Sequence, residues 1–200
     1  MPLKRIATAF ILQFILLHAT NGSAEVLLGN AGTGFVFGAD TKIKGDNRLY
    51  RLSGPAASAS LMLSTSQPGR YFGAFATTDY LENNYHTAAA KEVMRTKIYG
   101  LAYGLAAPEY MASLSLGIGV ATTVITQSAP VKRIDTYSGW AGRINGEIGI
   151  LGSPVAHVFL GFDACYRLFI SGHEIGNANT KLRTFTQLSV PVMIGLGSSL

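Results

Sequence analysis

The chain has 200 residues, with 16 Lys and Arg against 11 Asp and Glu, a formal charge of +5, only 14% charged residues, 23 glycines and a single cysteine. One cysteine excludes an intramolecular disulfide, and the length suits one domain held by pairing and packing alone. Beyond the N-terminal region no stretch runs about 18 apolar residues unbroken, which excludes helical membrane spans.

The chain opens on a basic start, Lys4 and Arg5, followed by an apolar run from Ile6 to Leu17 and a small-residue site, Gly22-Ser23-Ala24. This is the layout of a secretory signal peptide, and the run is too short to cross a bilayer as a helix. Residues 1–24 are therefore expected to be a signal peptide and residues 25–200 the mature domain. Without Lys4 and Arg5 the basic count falls from 16 to 14 against 11 acids, a charge of +3. So mild an excess gives no argument for nucleic acid.

The first three strands, roughly 26–39, 49–65 and 70–79, are diluted by Ala, Ser and Gly. The next two alternate cleanly. Residues 96–107 place Tyr99, Leu101, Tyr103 and Leu105 on one face with Gly100, Ala102 and Gly104 opposite, and residues 110–126 set Leu114, Leu116, Ile118, Val120 and Val124 against Ser113, Ser115, Gly117 and Gly119. The stretch 138–170 is a hairpin around Gly152–Val155. One of its faces holds Trp140, Ile144, Ile148, Leu160, Tyr166 and Leu168; the other holds Arg143, Asn145, Glu147, Asp163 and Arg167. The last segment, 184–197, collects Leu188, Val190, Val192, Ile194 and Leu196, and Pro191 within it calls for a bulge or an edge.

The connections alternate in length. Short turns carrying proline fall at Ser66–Gly69, Ala107–Glu109 and Gly152–Val155, and longer connections near 40–48, 80–94, 127–137 and 171–182. Residues 87–95 have the composition of a short helix or of solvated coil. Short and long in alternation puts every long connection at one end, which gathers Lys42, Lys44, Lys132, Arg133 and Lys181.

Which face is inside follows from volume. The apolar face is too continuous for the narrow interior of a small barrel, whereas Gly, Ala, Ser and a few charges fill one well. The reading is therefore inverted: apolar side chains face hydrocarbon, Tyr99, Tyr110 and Trp140 form an interfacial girdle, and Arg143, Glu147, Asp163 and Arg167 form an ionic network in the lumen, with Gln187 placed to add a hydrogen bond. A sheet in lipid must pair every backbone amide, so it has to close. The expected fold is all-β: an eight-stranded antiparallel transmembrane β-barrel with short periplasmic turns and longer extracellular loops.

On this architecture, and on the closing strand "RTFTQLSVPVMIGLG", the chain resembles the small OmpA/OmpX-like eight-stranded outer-membrane β-barrels of bacteria. The resemblance implies an integral outer-membrane location, no cofactor or metal, insertion by the barrel-assembly machinery, and contact with outer-membrane lipids, lipopolysaccharide or an extracellular ligand. It points to a non-enzymatic role in envelope integrity or surface binding through the loops. Competing readings are a narrow diffusion channel for small or hydrophobic solutes, a lipid-modifying enzyme around Ser171, His173 and Glu174, and a soluble ligand-binding barrel. The enzyme reading lacks a His-x-Ser motif, since Ile175 stands where the serine would be. His157 reads as a member of the lumenal network and not as a base, Cys165 as a small packed lumenal residue, and His86 lacks metal-ligand spacing; Gly29–Gly34 superficially resembles a phosphate loop without the Lys-Ser/Thr that would follow.

Overall fold

The computed structural model describes residues 27–43, 49–83, 92–107, 109, 111–127, 133–174, 177–181 and 184–199. The expected signal peptide lies outside the described residues. Among the described residues ten strands run in chain order: β1 Leu27–Ile43, β2 Leu49–Ser64, β3 Arg70–Asn83, β4 Glu92–Ala107, β5 Ala112–Gln127, β6 Arg133–Ser153, β7 Ala156–Glu174, β8 Asn177–Lys181, β9 Phe185–Ser189 and β10 Pro191–Ser199. Each pairs antiparallel with the next through β7. The last stave, β9 with β10, lies between β7 and β1 and closes the ring. Eight staves thus leave no edge, which is the condition for a sheet in hydrocarbon. Among the described residues the short β8 pairs with the far end of β7 alone.

The expected short turns lie together at one end and are laced by backbone hydrogen bonds. Thr65 N donates to Arg70 O at 2.8 Å, Ala106 N to Gly69 O at 2.9 Å, and Ser199 N to Pro154 O at 3.0 Å. Gly69, at φ +72°, takes the left-handed conformation this first turn needs, which a side chain would strain.

Proline in the final stave is handled by a break. Pro191 stands opposite Val36, where β1 has a bulge between Val36 and Ala39, and the pairing of β1 resumes one residue out of step at Asp40 with Leu188. The missing N–H of Pro191 therefore falls at an interruption already in the ladder.

Two expectations are corrected. The strands run beyond the expected belt into the long connections, through 40–43, 80–83, 92–94, 133–137 and 171–174, and 177–181 adds β8. These extensions carry too little apolar alternation to show as strands in sequence; pairing with already fixed neighbours extends them. Residues 92–95, assigned to a short helix or coil, belong to β4, and the rest of that stretch lies outside the described residues. Gly29–Gly34 is plain β1 strand.

The outward face is apolar and exposed: Tyr99, Leu116, Ile118, Trp140, Ile148 and Ile194 are each more than half exposed, while Arg143, Asp163 and Arg167 are buried inside. In water so continuous an apolar surface would be an aggregation site; in a bilayer it is the contact with the acyl chains. Replacing Ile118 on that belt by Arg should cost about 2–4 kcal/mol in vesicle-embedded protein, read from chemical unfolding with the wild type alongside. A cost near zero would mean that Ile118 does not face hydrocarbon.

Candidate functional site

The lumen is built in layers from inward positions that alternate with the lipid-facing ones. At the short-turn end, Ser60 Oγ donates to Asn30 Oδ1 and Asn30 Nδ2 donates to Glu147 Oε2, both at 2.5 Å. His157 lies at the same mouth, its ring against Gly197, filling the space a side chain there would need.

The middle layer is ionic. In β6–β7 Asp163 stands opposite Asn145, and Arg143 reaches it diagonally from the next inward position. Arg143 Nε donates to Asp163 Oδ1 at 2.7 Å and Nη2 to Oδ2 at 3.1 Å, a bidentate fork, and the guanidinium lies 4.7 Å from the centre of the Phe75 ring. Arg167 does not join this pair: its Nη2 donates to Asp79 across the barrel and its Nη1 to Gln187 Oε1 at 2.6 Å. Gln187 Nε2 donates onward to Thr41 Oγ1 at 3.0 Å, so β1, β3, β7 and β9 are tied through one chain. Cys165 is buried beside Asp163, with Sγ 3.7 Å from Oδ1.

Toward the long connections the lumen turns apolar. Phe169 and Phe185 stack at 4.5 Å, Tyr137 meets Phe185 edge-on at 4.8 Å, and Leu52, Leu81, Met94 and Ile98 are buried in the same cluster. Thr96 and Thr123 are buried too and share a hydrogen bond of 3.0 Å. Among the described residues, two spaces inside are water-sized: about 40 Å³ at the short-turn mouth and about 10 Å³ beside the ion pairs.

Of the four residues assigned to a lumenal network, the structure joins Arg143 directly to Asp163. It gives Arg167 a different acid, and Glu147 a neutral partner, Asn30. Asp79, Asn30 and Phe75 were missed because they lie on other hairpins, 88 residues from Arg167 in the case of Asp79. A signal was present: Asp79 shares the inward parity of Phe75 and Thr77 and is the one acid in the expected strand 70–79.

Of the basic residues assigned to the long-connection end, the backbones of Lys42, Arg133 and Lys181 lie in β1, β6 and β8 at that end, while Lys44 and Lys132 lie outside the described residues. His173 is exposed and stands opposite Thr136 and Lys181.

A closed ring of eight antiparallel staves, apolar outside and ionic within, decides the fold. It is the fold of the eight-stranded outer-membrane β-barrels. Solved structures share this barrel at low identity. The attachment invasion locus protein of Yersinia pestis, Ail, is 11% identical, with a TM-score of 0.52 over 86% of this chain and 98% of that one. Its complex with the heparin analogue sucrose octasulfate matches at 11% identity and a TM-score of 0.51, over 87% of this chain and 99% of that one. Neisserial surface protein A matches at 11% identity and a TM-score of 0.50, over 88% and 97%. No family model and no curated protein matches the sequence.

In this barrel the ion pairs carry weight because each charge is shut away from water. Replacing Arg143 by Ala leaves Asp163 buried without its cation and should cost about 3–5 kcal/mol, whereas Lys132→Ala should change stability by no more than about 0.5 kcal/mol. Thermal and chemical unfolding in the same detergent would compare the two; equal effects would contradict the inward placement of Arg143.

Proposed function

We propose that the protein is an integral outer-membrane barrel, inserted by the barrel-assembly machinery, that works from its surface and not through its lumen. It maintains the envelope or binds extracellular ligands through its long-connection end, without catalysis. The observation that carries this reading is the closure of the interior by two ion pairs and an aromatic cluster. A barrel so filled acts through what it displays at its ends and on its wall. The narrow-channel reading is the weaker one, because a solute would have to part the Arg143–Asp163 fork and the Phe169–Phe185 stack. Purified protein in planar bilayers should therefore give no defined conductance steps; reproducible unitary steps would restore the channel reading.

The ligand we assign to the loops is a polyanion. The backbones of Lys42, Arg133 and Lys181 lie at the long-connection end, and Lys44 and Lys132 are their near neighbours in sequence; cations gathered at one end attract a polyanion. The complex of the similarly folded Ail with a sulfated sugar supports this choice. The folded protein should bind a heparin fragment with an affinity that falls steeply with salt. Lys44→Ala combined with Lys132→Ala and Arg133→Ala should weaken binding about tenfold or more while leaving the unheated mobility in SDS unchanged. Salt-independent binding, or an unaltered affinity in the triple variant, would remove the polyanion from the proposal.

A further inference from the structure

The short-turn mouth gathers donor atoms that the ionic layer does not use. Among the described residues, Met62, Met111 and His157 line one space of about 40 Å³ there, together with Asn30, Asn145 and Glu147. Met111 and His157 converge on a single glycine. A side chain at Gly149 of β6 would stand 3.2 Å from His157 Cδ2 and 3.2 Å from Met111 Sδ, so the sulfur and the imidazole share the room that Gly149 leaves. Gly197 of β10, the ladder partner of His157, leaves room for the other side of the ring.

The backbone holds Met111 in that place. Its φ of +51° is left-handed, a conformation that a long side chain adopts only where the surroundings impose it, and its carbonyl accepts a hydrogen bond from Gly149 N at 2.7 Å. His157 Nδ1 is shut away from water and has no hydrogen-bond partner among the described groups. A nitrogen so placed is costly to leave bare. A half-turn of the ring fills the same space and puts Nδ1 where Cδ2 stands, beside the Met111 sulfur.

The charge and the donor set narrow the ligand. Glu147 brings a carboxylate to the mouth, hydrogen-bonded by the neutral Asn30, while the lumenal Arg143 is committed to Asp163. The local field therefore favours a cation. Among the described residues no three His, Cys, Asp or Glu side chains come together, which leaves a hard divalent ion without its usual ligands. Thioether sulfur with imidazole is instead the donor set of a soft ion of low charge.

We propose that the short-turn mouth binds one Cu(I) ion through Met111 Sδ and the adjoining ring nitrogen of His157, with Met62 Sδ as the third ligand. Glu147 balances the charge from outside the ligand set. The site is independent of which way the barrel faces and of what the long connections bind.

The test uses the full folded chain in detergent, without oxygen, with Cu(I) kept reduced by ascorbate and the chromophoric chelator bathocuproine disulfonate as competitor. The protein should withdraw one equivalent of Cu(I) from the chelator, and Zn(II) should bind at least tenfold more weakly. Met111→Leu, which conserves volume, and His157→Gln should each lower the Cu(I) affinity about tenfold or more, whereas Met193→Leu, deeper in the lumen, should leave it unchanged. Unheated SDS mobility is read on every variant. Should His157→Gln lose the compact band, the wild type decides by a second measurement: Ag(I), a redox-silent stand-in, should move the methyl carbon signals of Met111 and Met62 and not that of Met193. Failure to take Cu(I) from the chelator, Zn(II) held as tightly, undiminished affinity in folded Met111→Leu, or Ag(I) shifts that miss Met111 would each overturn the proposal.

Discussion

Backbone hydrogen bonding in a solvent that offers none is the constraint on which the rest of this structure depends. Every amide of a stave in hydrocarbon must find its partner on a neighbouring stave, so the sheet has to close, and Leu28 against Ser199 at one end and Asp40 against Leu188 at the other complete the ring. Closure then dictates where irregularity is tolerable. Pro191, the β1 bulge and the β9–β10 break fall at one place along one seam, so that a lost donor, an extra residue and a shift of register share a single interruption.

Closing eight staves also creates an interior too narrow to stay empty and too poor in water to tolerate lone charges. The chain answers with a gradient: hydrogen-bonded Asn30, Ser60 and Glu147 at the short-turn mouth, paired arginines and aspartates in the middle, and stacked aromatic rings beyond. The ion pairs bring more specificity than net stabilisation, because burying charges costs nearly what their attraction returns. Their value lies in cross-linking: Arg143 to Asp163 fixes one hairpin, whereas Arg167 to Asp79 and Gln187 joins staves from three parts of the chain.

The same filling leaves the outer surfaces to the proposed function. A lumen closed in this way leaves the wall and the long-connection end as the surfaces available to other molecules. The wall is itself divided: β4–β7 present a thick belt of large apolar side chains, and the middle of β1–β3 a thinner one of Ala and Thr. The weak alternation of β1–β3 in sequence and a recess on their outer wall have one cause, since small residues both dilute the pattern and leave the space.

Alternation and turn residues together determined the eight staves, the outward phase of Trp140, Ile144 and Ile148, the inward phase of Arg143 and Asp163, and the short-turn end, because a two-residue period and proline turns are local properties. The continuity of the apolar set against the small and charged one determined the inversion, since volume forbids the reverse. What only the tertiary structure decided was partnership across the barrel. Asp79 for Arg167, Asn30 for Glu147 and Phe75 under Arg143 depend on the stagger that closure imposes, and a register summed over several hairpins is not written in any one of them. The strand extensions toward the long connections were decided there too: their residues carry little apolar pattern, and it is the paired neighbour that holds them extended.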